Sequence, residues 1–282
     1  MVTGNGQLGV VTRHAHSALG VQIMRPCYFC DRPGITDEHV PPRAIFPAQK
    51  DFPCENHRLD LITVPACAEH NSGKSDDDEF LLVSLAGIIG NNSIGYRQQR
   101  TKVDRAVRRS SYRLLEKVFV ANRKLARIEV SDNKFIDVIV GTPDADRLVQ
   151  CFDRIVRGPH YHHFGTKLIG ETKPLLGFVF HNSISAKNLQ EFIKQRAKME
   201  LAARPKHGSN QEVFYYQTTE PDEFGAFLFH LSFYGAVSVY VAVVLEGNPR
   251  PYHLGIDLMN RGIRTLLSLG DESYEINGDA DA

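Results

Sequence analysis

Several absences narrow the function of this chain before any motif is weighed. It has no GxxxxGKS or GxxxxGKT phosphate loop and no GxGxxG turn, so nucleotide hydrolysis and dinucleotide binding are not expected of it. It has no net charge, with 33 basic residues against 33 acidic ones, so any attraction to a polyanion must be local. No internal repeat or low-complexity tract occurs. The longest apolar run, 235–245, is too short for a membrane-spanning helix and reads as a buried strand. An apolar signal core is missing from the N-terminus, and no membrane partner is expected. The five cysteines do not pair off, which points to a reducing cytoplasm rather than a disulfide scaffold. What remains is a globular composition, 42% hydrophobic and 23% charged over 282 residues, long enough for two domains.

Three of the cysteines stand in a pattern. Cys27 and Cys30 are separated by two residues, and so are Cys67 and His70. Two such knuckles suit a closed tetrahedral zinc site of three thiolates and one imidazole, tying together loops far apart in sequence. Cys54 and Cys151 are left as ordinary thiols. Between the knuckles lies an acid–histidine pair, Glu38-His39, followed by Val40-Pro41-Pro42. Asn71 directly follows the second knuckle, and Lys74 lies three residues further on.

A CxxC knuckle, an acid-His-hydrophobe-x-Pro segment and a second knuckle running into Asn-x-x-Lys, in that order, resemble the HNH endonuclease family over about residues 25–90. The resemblance implies a small zinc-stapled ββα-metal unit. It also implies that His39 is the general base taking a proton from water. Glu38 and Asn71 would be oxygen ligands of a catalytic Mg2+ or Mn2+, since hard donors suit such an ion. Zinc at Cys27, Cys30, Cys67 and His70 would be structural. Lys74 would contact nucleic acid. His70 stands where many members have cysteine, and Glu38 where many have aspartate. Asp37 is adjacent, so either acid could reach the ion. The family's middle asparagine has no counterpart, because Ile62 and Thr63 occupy its expected places. Asn56 and Asp60 are alternatives for orienting His39.

The rest of the chain reads as α+β. Residues 1–24, rich in glycine and without a sustained period, are expected to be a flexible arm. Residues 25–66 should be loop-rich with short strands near His39, because Pro41, Pro42, Pro47, Pro53 and Pro65 forbid long helices. Ser75 and the acids Asp76, Asp77 and Asp78 read as a helix start. Residues 91–128 form a basic helical connector. Between 97 and 127 eleven basic side chains face two acids, an excess of nine charges, over a stripe of Val103, Val107, Leu114 and Val118. Arg105, Arg108 and Arg109 are the candidates for phosphate contact. A second mixed α+β domain is expected at 129–265, with strands at 135–140, 175–180 and 213–217. It also has helices at 144–156 and 185–203 and a hairpin of 224–234 with 237–245. The tract His160-Tyr161-His162-His163 reads as a packed or solvated turn after the first of those helices rather than a second metal site. Residues 266–282 read as an acidic tail.

These features make a divalent-metal-dependent endonuclease acting on double-stranded DNA the leading expectation. RNA stays open, because the motif acts on a phosphodiester rather than a sugar. The alternative is a zinc-stapled nucleic-acid-binding module without catalysis. A defence or toxin effector that binds a protein partner through its C-terminal half is a further context for the nuclease.

Overall fold

Five prolines between Pro41 and Pro65 leave the knuckle region no long helix, and it folds as loops joined by short elements. The computed structural model describes residues 25–71, 73, 75–179, 183–247, 252–269 and 272–278. The expected arm at 1–24 and Lys74 lie outside these. Strand β1 (Thr36–His39) pairs antiparallel with β2 (Thr63–Ala66), placing Glu38 opposite Val64 and His39 opposite Thr63. A 3-10 turn, Arg43–Ile45, lies between them. Helix α1 (Ala68–Asn71) is a single turn. Helix α2 (Ser75–Ala86) starts at the expected serine with three aspartates in its first turn, where negative charge meets the positive helix end. It buries Phe80, Leu81, Leu82 and Leu85.

The basic segment is helical in pieces. Helix α3 (Ser93–Gln98) is capped by the Asn92 side chain, which accepts from the amides of Ile94 and Gly95. It runs through a π-helical stretch, Gln99–Val103, into α4 (Asp104–Arg109), and α5 (Arg113–Val118) follows. The stripe Val103, Val107, Leu114 and Val118 is buried. Helix does not continue to 128: strand β3 (Phe119–Ser131) begins directly after Val118 and pairs with β4 (Lys134–Pro143) in a long antiparallel ribbon. Arg123, Lys124 and Arg127 therefore lie on a strand. Cross-strand pairing with 134–143, including Ile128 opposite Ile136, wins over a helical continuation that has few apolar residues in register.

The larger sheet has strand order β5-β8-β7-β6, all antiparallel. Its strands are β5 (Gly170–Leu176), β6 (Phe214–Thr218), β7 (Ala226–Phe233) and β8 (Val237–Leu245). Along β8 alternate residues Val237, Val239, Val241 and Val243 are fully buried, the period-2 pattern of a sheet with one face on a core. The first strand lies earlier than expected, at 170–176, and its register with β8 runs from Gly170 opposite Leu245 to Leu176 opposite Val239.

Helix α6 (Ala145–Phe164) covers that sheet with Leu148, Phe152, Ile155 and Val156. It runs eight residues beyond the expected end at 156, through Gly158-Pro159, and ends where Gly165 takes a left-handed conformation. Helix α7 is Ile184–Leu201. The expected acidic tail is structured at its start: α8 (Tyr252–Asn260) precedes a hairpin of β9 (Thr265–Leu269) and β10 (Glu272–Ile276). Among the described residues no helix is long and apolar enough to cross a membrane. The chain is mixed α+β, and one apolar cluster runs from Cys27 and Val40 through α2 and α6 to Val243.

The histidine tract belongs to α6, and His160 is buried there. His160 bonds the Thr166 carbonyl at 3.0 Å and packs on Phe164 and Phe227. Burial pushes His160 down to about 4, and the same cause pushes His230 of β7 down to about 4. Both are neutral in the folded chain at neutral pH, whereas an unfolded histidine titrates near 6.5. The unfolded state thus binds more protons between these values. Stability is full above pH ~6.5 and should fall by a few kcal/mol as pH drops towards ~4. Urea midpoints measured across this range should show it. His230→Gln should flatten the slope with zinc content unchanged, and an equal slope in that variant would contradict the assignment.

Candidate metal centre and the strand beside it

The loop from Pro26 to Gly34 is folded by its own backbone. Cys27 N donates to Arg32 O, Gly34 N to Arg25 O, and Tyr28 N crosses to Pro65 O next to the second knuckle, each at 2.8 Å. Cys67 stands just before α1, and Asn71 N bonds Cys67 O at 3.1 Å. That single helical turn brings residues three apart to the same side, so Cys67 and His70 face the first knuckle together. Cys30 Sγ lies 3.9 Å from Cys67 Sγ. His70 Nδ1 lies 3.6, 3.5 and 3.2 Å from the sulfurs of Cys27, Cys30 and Cys67.

These distances can be compared with a tetrahedron. Zinc–sulfur bonds of about 2.3 Å and zinc–nitrogen bonds of about 2.0 Å require sulfurs roughly 3.8 Å apart and sulfur–nitrogen pairs roughly 3.5 Å apart. The donor set and its spacing fit a zinc ion. Among the described residues, these four are the only group of three or more His, Cys, Asp or Glu side chains close enough to share a metal. Burial pushes the Cys27 thiol up, so a cation is needed there to favour the thiolate. Phe29 stacks on the His70 ring at 4.4 Å, and the Arg157 guanidinium lies over Phe29 at 4.9 Å. Arg32 pairs with Glu69 across the two knuckles.

The second knuckle also delivers Asn71 to β1. Its Nδ2 donates to Thr36 Oγ1 at 2.9 Å and lies 3.5 Å from the Asp37 carbonyl. Successive strand residues point to opposite faces. Thr36 and Glu38 therefore share one face of β1, and Asp37 and His39 share the other. Glu38 is only 6% exposed and lies near the buried Tyr28, whose hydroxyl is raised by burial and then by the Glu38 charge. The acid and the histidine that the motif places side by side thus leave the strand on opposite sides. Asp37 is the acid on the face of His39, and it pairs with Arg25 at 3.3 Å. The alternation of a strand was the signal for this division. No second cluster of three such donors exists among the described residues.

His39 is half-buried. Burial, then Arg43 and Arg58, hold its imidazole below the ordinary histidine value. Neither arginine belongs to the motif, and sequence reasoning missed both. Of the residues considered for orienting His39, Asn56 instead accepts from the Arg58 amide at 3.1 Å, and Asp60 has a left-handed backbone in the exposed turn before β2. Two of the three basic candidates on α4 are already engaged. Arg105 pairs with the buried Asp51 and Arg108 with Asp104, both at 2.9 Å. Arg109 lines a cavity of about 200 Å3 with Ser75, Asp78, Glu79 and Lys102.

The segment after His39 is wedged against α6. Val40 N bonds Ile62 O at 3.0 Å, and a Cβ added at Gly158 would meet Val40 side-chain atoms at 2.4–2.6 Å. Alanine in a helix interior ordinarily stabilises by about 1 kcal/mol over glycine. Gly158→Ala should instead destabilise by about 1–3 kcal/mol, the range for overpacking, in chemical denaturation. A stabilised variant would show that Val40 yields.

No family model, no curated protein and no solved structure matches the chain.

Proposed function

We propose that the protein is a metal-dependent endonuclease of the HNH type, hydrolysing phosphodiester bonds in DNA. The observation that carries this reading is the meeting of Asn71 with β1, the strand that holds Glu38 and His39, beside the Cys27–Cys30–Cys67–His70 cluster. In this reading zinc holds the two knuckles and so fixes α1 against β1. His39, neutral and half-buried, accepts a proton from the attacking water. A Mg2+ or Mn2+ ion would supply charge neutralisation at the phosphate, with Asn71 and one of Asp37 or Glu38 as the chain's ligands. The test is incubation with supercoiled plasmid and with RNA, in Mg2+, Mn2+ or neither, comparing wild type with His39→Ala.

The burial of Glu38 away from His39 favours a second reading, a zinc-stapled nucleic-acid-binding module without catalysis. In that case wild type and His39→Ala would bind equally and neither would cut. A protein partner for the C-terminal half, as in a defence or toxin effector, concerns the setting of either reading.

A further inference from the structure

Folding gathers positive charge around His39 from three places in the chain. Arg43 opens the 3-10 turn, four residues after His39. Arg58 returns from the loop before β2, and its Nε and Nη2 donate to the Phe46 carbonyl at 3.0 and 2.9 Å. Lys102 comes from the π-helical stretch and donates to the Ala44 carbonyl at 2.9 Å. These cations feel one another. Arg43 and Arg58 both act on His39, Arg43 acts on Arg58, and Arg58 acts on Lys102. Burial, and then Arg58, push Lys102 down to about 8.

The acids nearby do not cancel this field. Asp51 is bonded to Arg105 at 2.9 Å, and Asp37 to Arg25 at 3.3 Å. Arg58 and Lys102 have structural employment, tying down carbonyls of the turn. The Arg43 side chain has none: its carbonyl accepts from Phe46 N at 3.2 Å, but its guanidinium is exposed and makes no hydrogen bond or ion pair among the described residues. Arg43 and Arg58 repel each other, and an anion between them would relieve that repulsion. Two of the five donors of the planar Arg58 guanidinium are used on Phe46, which leaves three in the same plane for another acceptor.

We infer that Arg43 and Arg58 form a binding site for a backbone phosphate of nucleic acid, set on the His39 side of β1. The identity of the ligand rests on the nuclease reading; the site itself rests on Arg58 being held by hydrogen bonds to the end of the turn that Arg43 opens. A planar fork beside a phosphate oxygen pair is the geometry arginine binds best. The site would hold the strand against His39 from the chain's own side chains, whatever ion is present.

The test is equilibrium binding of a short fluorescent DNA duplex at several salt concentrations, in Ca2+ so that cleavage does not intervene. Plasmid cleavage in Mg2+ is measured alongside. Arg43→Gln is on the surface and should keep zinc content and melting temperature. It should weaken binding by roughly tenfold and lower the log–log salt slope by about one, the signature of one lost phosphate contact. Arg43→Glu should weaken binding further, and Arg43→Lys should retain part of it. If wild type binds and cuts while Arg43→Gln and Arg43→Glu match its affinity and slope, the phosphate site is overturned and the nuclease reading stands. If wild type neither binds nor cuts DNA, the nuclease reading falls and this site falls with it.

Discussion

Replacing His39 with alanine should lower plasmid cleavage by roughly 10²–10⁴-fold, the range for losing a positioned acid–base group. The size of the effect follows from where His39 sits. It is half-buried on the second-last hydrogen-bonded pair of the chain's first strands, opposite Thr63, and it belongs to neither knuckle. Its loss should therefore leave zinc content, melting temperature and DNA affinity nearly unchanged. Asn71→Ala should also slow cleavage, and extra Mg2+ or Mn2+ should partly restore that variant, because mass action offsets a weakened ligand set. Added metal should not restore His39→Ala, since an ion does not replace a proton acceptor. Equal cleavage by wild type and His39→Ala at matched metal would remove the proposed mechanism and leave the binding module as the better reading.

The second large effect is on stability. Purified protein should carry one zinc per chain, and Cys67→Ser should lose it. The two knuckles come from loops about forty residues apart, and β1 and β2 between them are four residues each. Backbone bonds such as Tyr28 N to Pro65 O hold this unit together only if the loops are already aligned. Binding of structural zinc is worth about 10–16 kcal/mol in small metal-folded peptides, comparable to the ~5–15 kcal/mol that stabilises a whole domain. Cys67→Ser should therefore lower the melting temperature sharply and reduce soluble yield. Chelation of the wild type should do the same. Folded protein without zinc, at wild-type stability, would refute the structural role.

The gathering of Cys27, Cys30, Cys67 and His70 into one cluster that could hold zinc was legible because residue type and spacing nearly determine the geometry: two x2 knuckles need only close on each other. The stripe Val103, Val107, Leu114, Val118 and the alternation along β8 were legible for the same reason, since period alone assigns the buried face. The boundaries that moved did so where local signals conflict with packing. The helix expected to end at 156 continues to 164, with Gly158, Pro159 and His160 buried and His160 packed on Phe227 of the sheet. The basic stretch with Arg123, Lys124 and Arg127 reads as helix, yet it pairs as strand with 134–143. Arg43 and Arg58 could not be found near His39 from sequence. Fourteen residues of proline-broken chain separate the two arginines, and only the folded turn at Phe46 brings Arg58 back.

The contact between Val40 and Gly158 and the bond from the Tyr234 hydroxyl to the Ile45 carbonyl bear on how this unit could be inherited or transplanted. The strand with His39 leads directly into a turn whose underside is walled by α6 and by the end of β7. Fragment 25–90 alone would uncover Val40 and leave the Ile45 carbonyl without its Tyr234 partner. A zinc-bearing cassette cut out at those limits would keep its metal ligands and lose its floor. Recombination that preserves the site must therefore carry residues as far as Tyr234, nearly two hundred positions beyond His39, which makes the sheet a scaffold for the motif rather than a passenger behind it.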